Sequence, residues 1–254
     1  MSILNLFQKA ASTTQKMTEN VIKSMFLKRA KTPEQCKCID FFLGTEEKKE
    51  EKKCLGCLNK AVGGWTVDDY IQHVENEVNK LNLRERAIAK IGLDESQISE
   101  IDPIVLSSFV RKGDDIYGKT SADHRKYVTN KYSLTWIFFS ATQIYTYTYL
   151  FDSMSDTYVE TTKDFFYSDI TCIRTEHEAD EIVYEINETG CLETIKNFFK
   201  KKEAKYDHYF RHWDTLQITV PNDSYSFCCK TTDLESMERS IQAAKAMIRE
   251  KKQA

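Results

Sequence analysis

The sequence predicts an α+β fold, in which a helical N-terminal part precedes a long series of antiparallel strands and one helix ends the chain. Three observations lead to this prediction. A charge-free stretch, Tyr132 to Phe151, alternates with a period of two residues. The tripeptide Pro221-Asn222-Asp223 separates two strand-like segments, and residues 231–252 carry an apolar stripe at helical spacing.

The charge-free stretch is long enough for a membrane-spanning helix, since about 20 residues of helix extend roughly 30 Å. Its composition favours a different structure, because serine, threonine and glutamine are scattered among aromatic and β-branched residues. From Ile144 to Phe151, aromatic residues occupy every second position, which is the period of a strand. With the polar segment Ser140 to Gln143 as its turn, the stretch predicts a β-hairpin and not a membrane span.

The composition bounds the class of protein. Of the 254 residues, 41% are hydrophobic and 30% are charged, and the formal net charge is -3, which is typical of a soluble globular protein. This charge gives no general attraction to nucleic acid, so a nucleic-acid partner is not expected. The first residues do not have the pattern of a signal peptide, so we expect a cytoplasmic protein whose eight cysteines are thiols or metal ligands.

Residues 1–31 predict an amphipathic N-terminal helix. Its apolar positions recur at mixed three- and four-residue spacing and include Ile3, Phe7, Ala10, Met17, Val21 and Met25. Three locations for this helix stay open: against its own domain, against a partner helix, or on a membrane surface with its basic residues near the lipid headgroups.

Two close cysteine pairs, Cys36-x-Cys38 and Cys54-x-x-Cys57, lie in the segment 32–62. A structural Zn²⁺ takes four ligands, and short thiolate pairs on loops lower the entropic cost of bringing those ligands together. The spacing therefore predicts one structural zinc site formed by all four sulfurs. Ordinary thiols beside the charged run Glu46 to Lys53 and a redox CxxC motif are the alternatives.

Residues 63–100 predict a helical hairpin region. Thr66 and Asp69 form a helix-start signature ahead of an apolar stripe that ends near residue 82. A second short helix follows and ends near Gly92.

The β domain predicted for residues 101–254 begins near Pro103. Its expected strands are Ile104–Val110, Tyr132–Phe138, Ile144–Phe151, Thr157–Thr162, Phe165–Thr175, Glu181–Ile186, Leu216–Val220 and Tyr225–Cys229. One helix, Leu192–Phe199, is expected to interrupt the series. The final helix is expected to be capped by Thr232 and Glu235.

Three parts of the chain resemble the pleckstrin-homology-like domain of uncharacterised bacterial proteins: the hairpin, FFYSDITCIRT (Phe165–Thr175) and LQITVPNDSYSFCCKTTDLESMERSIQAAKAMI (Leu216–Ile248). The stretch AIAKIGLDESQISEIDPI, Ala87–Ile104, also looks like the lead-in of a bacterial protein family. The resemblance covers the C-terminal half to three-fifths of the chain. It implies an antiparallel β-sandwich or partly open barrel capped by the C-terminal helix, a fold that hosts lipid, peptide and protein binding.

The resemblance also implies a location for anionic ligands, since lipid-binding members hold phosphates with basic residues near the first strand and the loop after it. The matching positions are Arg111, Lys112, Lys119, Arg125 and Lys126. A second basic patch consists of Lys200, Lys201, Lys202 and Lys205. We take this patch, Arg125 and Lys126 as candidate contacts for an anionic surface. Lysines that merely suit the end of a helix are the alternative for the patch.

His208 and His212 would lie one turn apart in a helix, a spacing at which two imidazoles can chelate a metal. No glutamate lies between them in the arrangement of a metalloprotease, and surface or packed histidines are the simpler interpretation.

No catalytic motif stands out, so we do not expect an enzyme. The leading interpretation is a non-catalytic adaptor, stabilised by zinc, that docks a protein or peptide. The alternative is a peripheral membrane protein that binds anionic lipid through its basic patches and its N-terminal helix.

Overall fold

A computed structural model describes residues 20–44, 64–98, 101–185, 206–229 and 234–253. These residues form five α-helices and one short 3-10 helix, Glu95–Ile98. The α-helices are residues 20–29 (α1), Pro33–Leu43 (α2), Val67–Asn79 (α3), Leu83–Ile91 (α4) and Leu234–Gln253 (α5).

The described residues also form nine strands, which lie between α4 and α5 in the chain. Every pair of neighbouring strands is antiparallel. They are Ile104–Phe109 (β1), Gly118–Thr120 (β2), Tyr127–Thr129 (β3), Lys131–Phe139 (β4), Gln143–Asp152 (β5), Thr157–Phe166 (β6), Cys172–Glu185 (β7), Tyr206–Val220 (β8) and Asp223–Cys229 (β9). The first sheet has the order β1-β4-β5-β6, and the second sheet has the order β7-β8-β9. Strands β2 and β3 form a separate ribbon, and β9 lies against β1. The α+β class is therefore confirmed, and the described sheets do not close into a barrel.

The predicted hairpin is confirmed. Strands β4 and β5 pair from Lys131 opposite Asp152 to Phe139 opposite Ile144. In the turn, the Ser140 hydroxyl accepts a hydrogen bond from the Gln143 amide at 3.2 Å, so a polar side chain replaces a backbone partner. No helix in the described part of the chain combines the length and the apolar character that crossing a membrane requires.

The first sheet lacks charge in its middle because protein covers both of its faces. Phe138, Tyr147 and Tyr149 face α2, α3 and α4 and are buried in one apolar cluster with residues of those helices. Ile137 and Ile144 face the other way and are buried in a second cluster with α5 and the second sheet. A strand that is covered on both faces has no position for an unpaired charge.

A buried hydroxyl joins the helices to the sheet. Tyr70 of α3 is fully buried, and its hydroxyl donates to the Thr129 carbonyl at 2.9 Å and lies 2.8 Å from Ser153 Oγ. The Gln35 side chain of α2 donates to the Met154 carbonyl at 2.9 Å. These bonds satisfy backbone carbonyls that the junction removes from water.

A carboxylate joins α4 to the same sheet. Glu160 of β6, whose side chain is 8% exposed, accepts a hydrogen bond from the Tyr147 hydroxyl at 2.6 Å and pairs with Arg86 and Lys90. Burial alone would raise the pKa of Glu160, but these donors and positive charges outweigh it and hold the pKa below its ordinary value. The side chain therefore stays ionised between the helix and the sheet.

The two helices predicted within residues 63–100 are present. Thr66 and Asp69 cap α3 reciprocally, and Gly92 ends α4 with a positive φ of 79°. The predicted helix over residues 1–31 is described only for 20–29, where Val21 and Met25 are exposed and Phe26 packs edge-on against Tyr117.

Three expectations about local structure are wrong. The segment Phe165–Thr175 is not one strand, because β6 ends at Phe166 and a turn precedes β7; Tyr167 anchors this turn by donating its hydroxyl to the Ser140 carbonyl at 2.8 Å. Cys36 and Cys38 do not lie on a loop, because α2 begins at Pro33 with Thr32 as its cap. His208 and His212 lie in a strand.

The predicted strand Glu181–Ile186 is the last part of β7 as far as Glu185. The helix expected at Leu192–Phe199 and the Thr232 cap lie outside the described residues.

We expect Tyr70→Phe to lower the free energy of unfolding by about 1–3 kcal/mol, because the buried Thr129 carbonyl and Ser153 hydroxyl lose a partner. Urea unfolding of the full chain measures this change. Tyr158→Phe is the matched control, since Tyr158 is exposed and its hydroxyl accepts a hydrogen bond from the Arg86 guanidinium at 3.3 Å. Equal losses in the two variants would contradict the role of the buried hydroxyl.

Candidate functional site

The inner face of the first sheet changes from apolar to polar along its strands. At one end Ile137 and Ile144 belong to the buried core around α5. At the other end Thr135, Thr148 and Thr161 are paired side by side across β4, β5 and β6. Because side chains in register share a face, their hydroxyls form a row across three strands, which we call the threonine row.

A cavity of about 720 Å³ lies between this polar end and the second sheet. Ser133 and Thr146 extend the hydroxyl surface beside the threonine row. The opposite wall includes Glu178, Trp213 and Thr215. The volume lies within the range of ligand-binding pockets, which is about 300–1,000 Å³.

The hydroxyls explain why the two sheets do not close on each other here. Thr135 is buried, and its Oγ1 lies 3.0 Å from Thr148 Oγ1. Thr146 Oγ1 is 3.4 Å from the Lys163 carbonyl oxygen. Thr148 is partly exposed and Thr161 is exposed, and apolar contact with the second sheet would remove these hydroxyls from water without adding partners, at a cost of about 1–3 kcal/mol per group. This end of the inner face is therefore suited to water or to a polar ligand.

Three cationic side chains line the cavity. The Arg111 guanidinium lies 3.7 Å from the centroid of the Trp213 ring and 5.6 Å from that of Tyr127. The Lys163 ammonium lies 3.5 Å from the centroid of the Tyr225 ring. Lys112 is exposed at the edge. Ring faces attract both partly buried cations and hold them beside the cavity.

Two carboxylates line the opposite wall. Glu178 accepts a hydrogen bond from Trp213 Nε1 at 3.1 Å, and Glu176 pairs with Arg174 at 2.9 Å. Three cationic and two anionic side chains therefore line the cavity. It can bind polar groups of either sign, with an excess of positive charge.

The cavity is flanked by the edges of two sheets. Strand β6 pairs only with β5, and β7 pairs only with β8, among the described strands. Thr161 and Lys163 of β6 and Glu176 and Glu178 of β7 line the cavity. Thr161 and Glu178 are exposed, so solvent reaches the cavity from these edges.

The structure separates the basic residues that the resemblance grouped together. Arg111 and Lys112 line the cavity, whereas Lys119 donates to the Phe41 carbonyl at 2.8 Å, at the end of α2. Lys126 pairs with Asp68 of α3, and Arg125 is exposed in the turn before β3. Lys200, Lys201, Lys202 and Lys205 lie outside the described residues.

The cysteines of α2 point in different directions. Residues two positions apart are about 200° apart around a helix, and Cys38 is buried whereas Cys36 is partly exposed. Burial raises the pKa of Cys38 to about 12. Cys54 and Cys57 lie outside the described residues, and the described part of the chain contains no group of three or more potential metal ligands.

The helical spacing that would let His208 and His212 chelate a metal does not occur. Both residues belong to β8, where positions four apart are separated by about 13 Å along the strand.

Sequence reasoning found the strands of the site but missed the cavity. The available signal was the set of hydroxyl residues that share a face with Ile144 in an otherwise apolar hairpin. No pattern in the sequence indicated that Trp213, Tyr225 and Glu178 line the cavity, because the packing of the second sheet against the first places them there.

Comparison with known proteins adds no relative. No family model, no curated protein and no solved structure matches the chain. The function proposed for the chain therefore depends on the geometry of the cavity.

Proposed function

We propose that the chain is a non-catalytic adaptor that docks an extended segment of a partner protein in the cleft between its two sheets. The observation that carries the proposal is a cavity of about 720 Å³ between two strands, β6 and β7, that each pair on one side only within the described residues.

The arrangement of elements supports a pleckstrin-homology-like architecture. A sheet of four strands precedes a sheet of three strands, β9 lies against β1, and α5 packs on residues of both sheets. The short ribbon β2-β3 is inserted between the first two strands of the first sheet. In this arrangement the cavity lies between the last strand of the first sheet, β6, and the first strand of the second sheet, β7.

An extended segment suits this opening. An edge strand offers unpaired N–H and C=O groups that a further strand can bind, while alternate side chains enter neighbouring pockets. Strand β6 has ten residues. Val159, two positions before Thr161 and on the same face of the strand, is 58% exposed. The hydroxyls, ring faces and charges of the lining provide contacts for those side chains.

The hydroxyl geometry supports binding ahead of covalent catalysis. The Thr135 and Thr148 hydroxyls share a hydrogen bond, and the Thr146 hydroxyl donates a hydrogen bond to the Lys163 carbonyl. A hydroxyl nucleophile needs a neighbouring base such as histidine, and these three hydroxyls have other partners.

Filling the cleft is expected to abolish docking. We expect Thr161→Trp to block the cavity from its exposed rim, whereas Thr162→Trp adds the same bulk on the opposite face of β6. Affinity capture from cells that produce the protein compares both variants with the unaltered chain. A partner retained by the chain and by Thr162→Trp, and lost with Thr161→Trp, supports the proposal.

Thermal unfolding by circular dichroism establishes that both variants fold. If folded Thr161→Trp retains every partner of the unaltered chain, docking in the cleft is excluded.

The zinc site stays a proposal for Cys36, Cys38, Cys54 and Cys57. It predicts about one zinc per chain by elemental analysis of the purified protein. Cys36 and Cys38 lie about 200° apart around α2, so coordination of one metal by both sulfurs requires this helix to rearrange. Cys54→Ser should lose the metal, and Cys172→Ser, at an exposed cysteine of β7, should retain it. Folded, metal-free protein would end the hypothesis.

A second candidate function is peripheral binding to anionic lipid. Val21 and Met25, one turn apart on α1, are 60% and 51% exposed, which favours contact with an apolar surface. Flotation with anionic liposomes at physiological salt tests this candidate. We expect binding to be lost when residues 1–30 are deleted or when Lys200, Lys201 and Lys202 are neutralised. An absence of flotation removes the candidate.

A further inference from the structure

We propose that the docked segment presents an acidic side chain to a carboxylate subsite formed by Lys163, Thr148 and Thr161. This inference rests on the proposed function, because it specifies the chemistry of the segment that enters the cleft.

The strand register places the subsite on one face. Lys163 is paired with Thr146, and Thr161 is paired with Thr148, two positions along the same strands. Neighbouring strands lie about 4.8 Å apart and alternate residues about 7 Å apart, so these four side chains surround one small area of the sheet. The Thr146 hydroxyl donates to the Lys163 carbonyl, so the donors left for a carboxylate are the Lys163 ammonium, the Thr161 hydroxyl and, when Thr135 donates to it, the Thr148 hydroxyl.

Lys163 has no carboxylate partner close enough for an ion pair within the described residues. Its ammonium lies over the Tyr225 ring, and the side chain is partly buried. The charge of Lys163 also acts on Asp223, whose pKa is lowered by the Tyr225 hydroxyl, by the Ser224 amide and by this ammonium group. A partly buried cation without an ion-pair partner favours the binding of an anion from outside.

The charges that line the cavity favour a carboxylate over a phosphate. Arg111, Lys112 and Lys163 line it, and Glu178 and Glu176, which is paired with Arg174, face them. A phosphate group carries about -1.5 to -2 charges at neutral pH, so the two glutamates would repel it more strongly than they would repel a carboxylate, which carries one negative charge.

The carboxylate belongs to a polypeptide segment in this proposal because the edges of β6 and β7, which pair with no further strand within the described residues, flank the subsite. Backbone pairing with an edge strand fixes the register of the segment. The segment can then direct an aspartate or glutamate side chain towards Lys163. The threonine hydroxyls would replace hydrogen bonds to water that the carboxylate loses when it enters the cleft.

Selection from random peptides displayed on phage tests the subsite with the full chain as bait. The unaltered chain and Lys28→Glu should enrich peptides with aspartate or glutamate at one constant position. Lys28 is exposed on α1, so this variant changes the same charge away from the cavity. Lys163→Glu should enrich lysine or arginine at that position instead. It should also bind the acidic peptides about 10- to 100-fold more weakly, as expected for a lost charge-assisted bond.

A swap within the best peptide provides the second readout. Changing its acidic residue to the matching amide should weaken binding to the unaltered chain but not to Lys163→Glu. Enriched peptides without an acidic position, or unchanged affinity in Lys163→Glu, would overturn the carboxylate subsite and leave docking in the cleft standing. If no peptide is enriched above a bait-free control, the proposed function fails and the subsite fails with it.

Discussion

Burial of the first sheet on both faces is the constraint on which the rest of the structure depends. One face must be covered by the helices α2, α3 and α4, and the other must be covered by α5 and the second sheet. Each covering layer removes backbone carbonyls from water, so buried donors such as the Tyr70 hydroxyl become necessary at the junctions. The helices are therefore an integral layer of the fold rather than a separate attachment.

The same constraint explains the location of the cavity. The face towards the second sheet is apolar only where α5 and the second sheet complete the core, and the threonine row begins where that packing stops. Threonines at this position bury less apolar surface than core residues would, and this lowers the stability of the fold. Such losses of stability are typical of binding sites. Beside the row, β6 and β7 each pair on one side only among the described strands, and these edges give the cavity both an entrance and a backbone surface.

Local physics made several elements predictable. The two-residue alternation identified the hairpin, the reciprocal pair Thr66 and Asp69 identified the start of α3, and Gly92 identified the end of α4. At two other places the local sequence pattern predicted the wrong structure. Pro33 marks a boundary in sequence but is the first residue of α2, and the turn between β6 and β7 is stabilised by the distant Ser140 carbonyl. No local pattern records such a distant partner.

The sequence alone therefore determined the fold class, the hairpin and the caps, because each depends on residues that are neighbours along the chain. Tertiary structure decided which basic residues share a site. Lys119 and Lys126 contact the helices, whereas Arg111 meets Trp213, a residue more than one hundred positions away, at the cavity. Charge in a sequence indicates what a side chain can bind, but packing between distant segments decides whether it faces a partner within the fold or a ligand from outside.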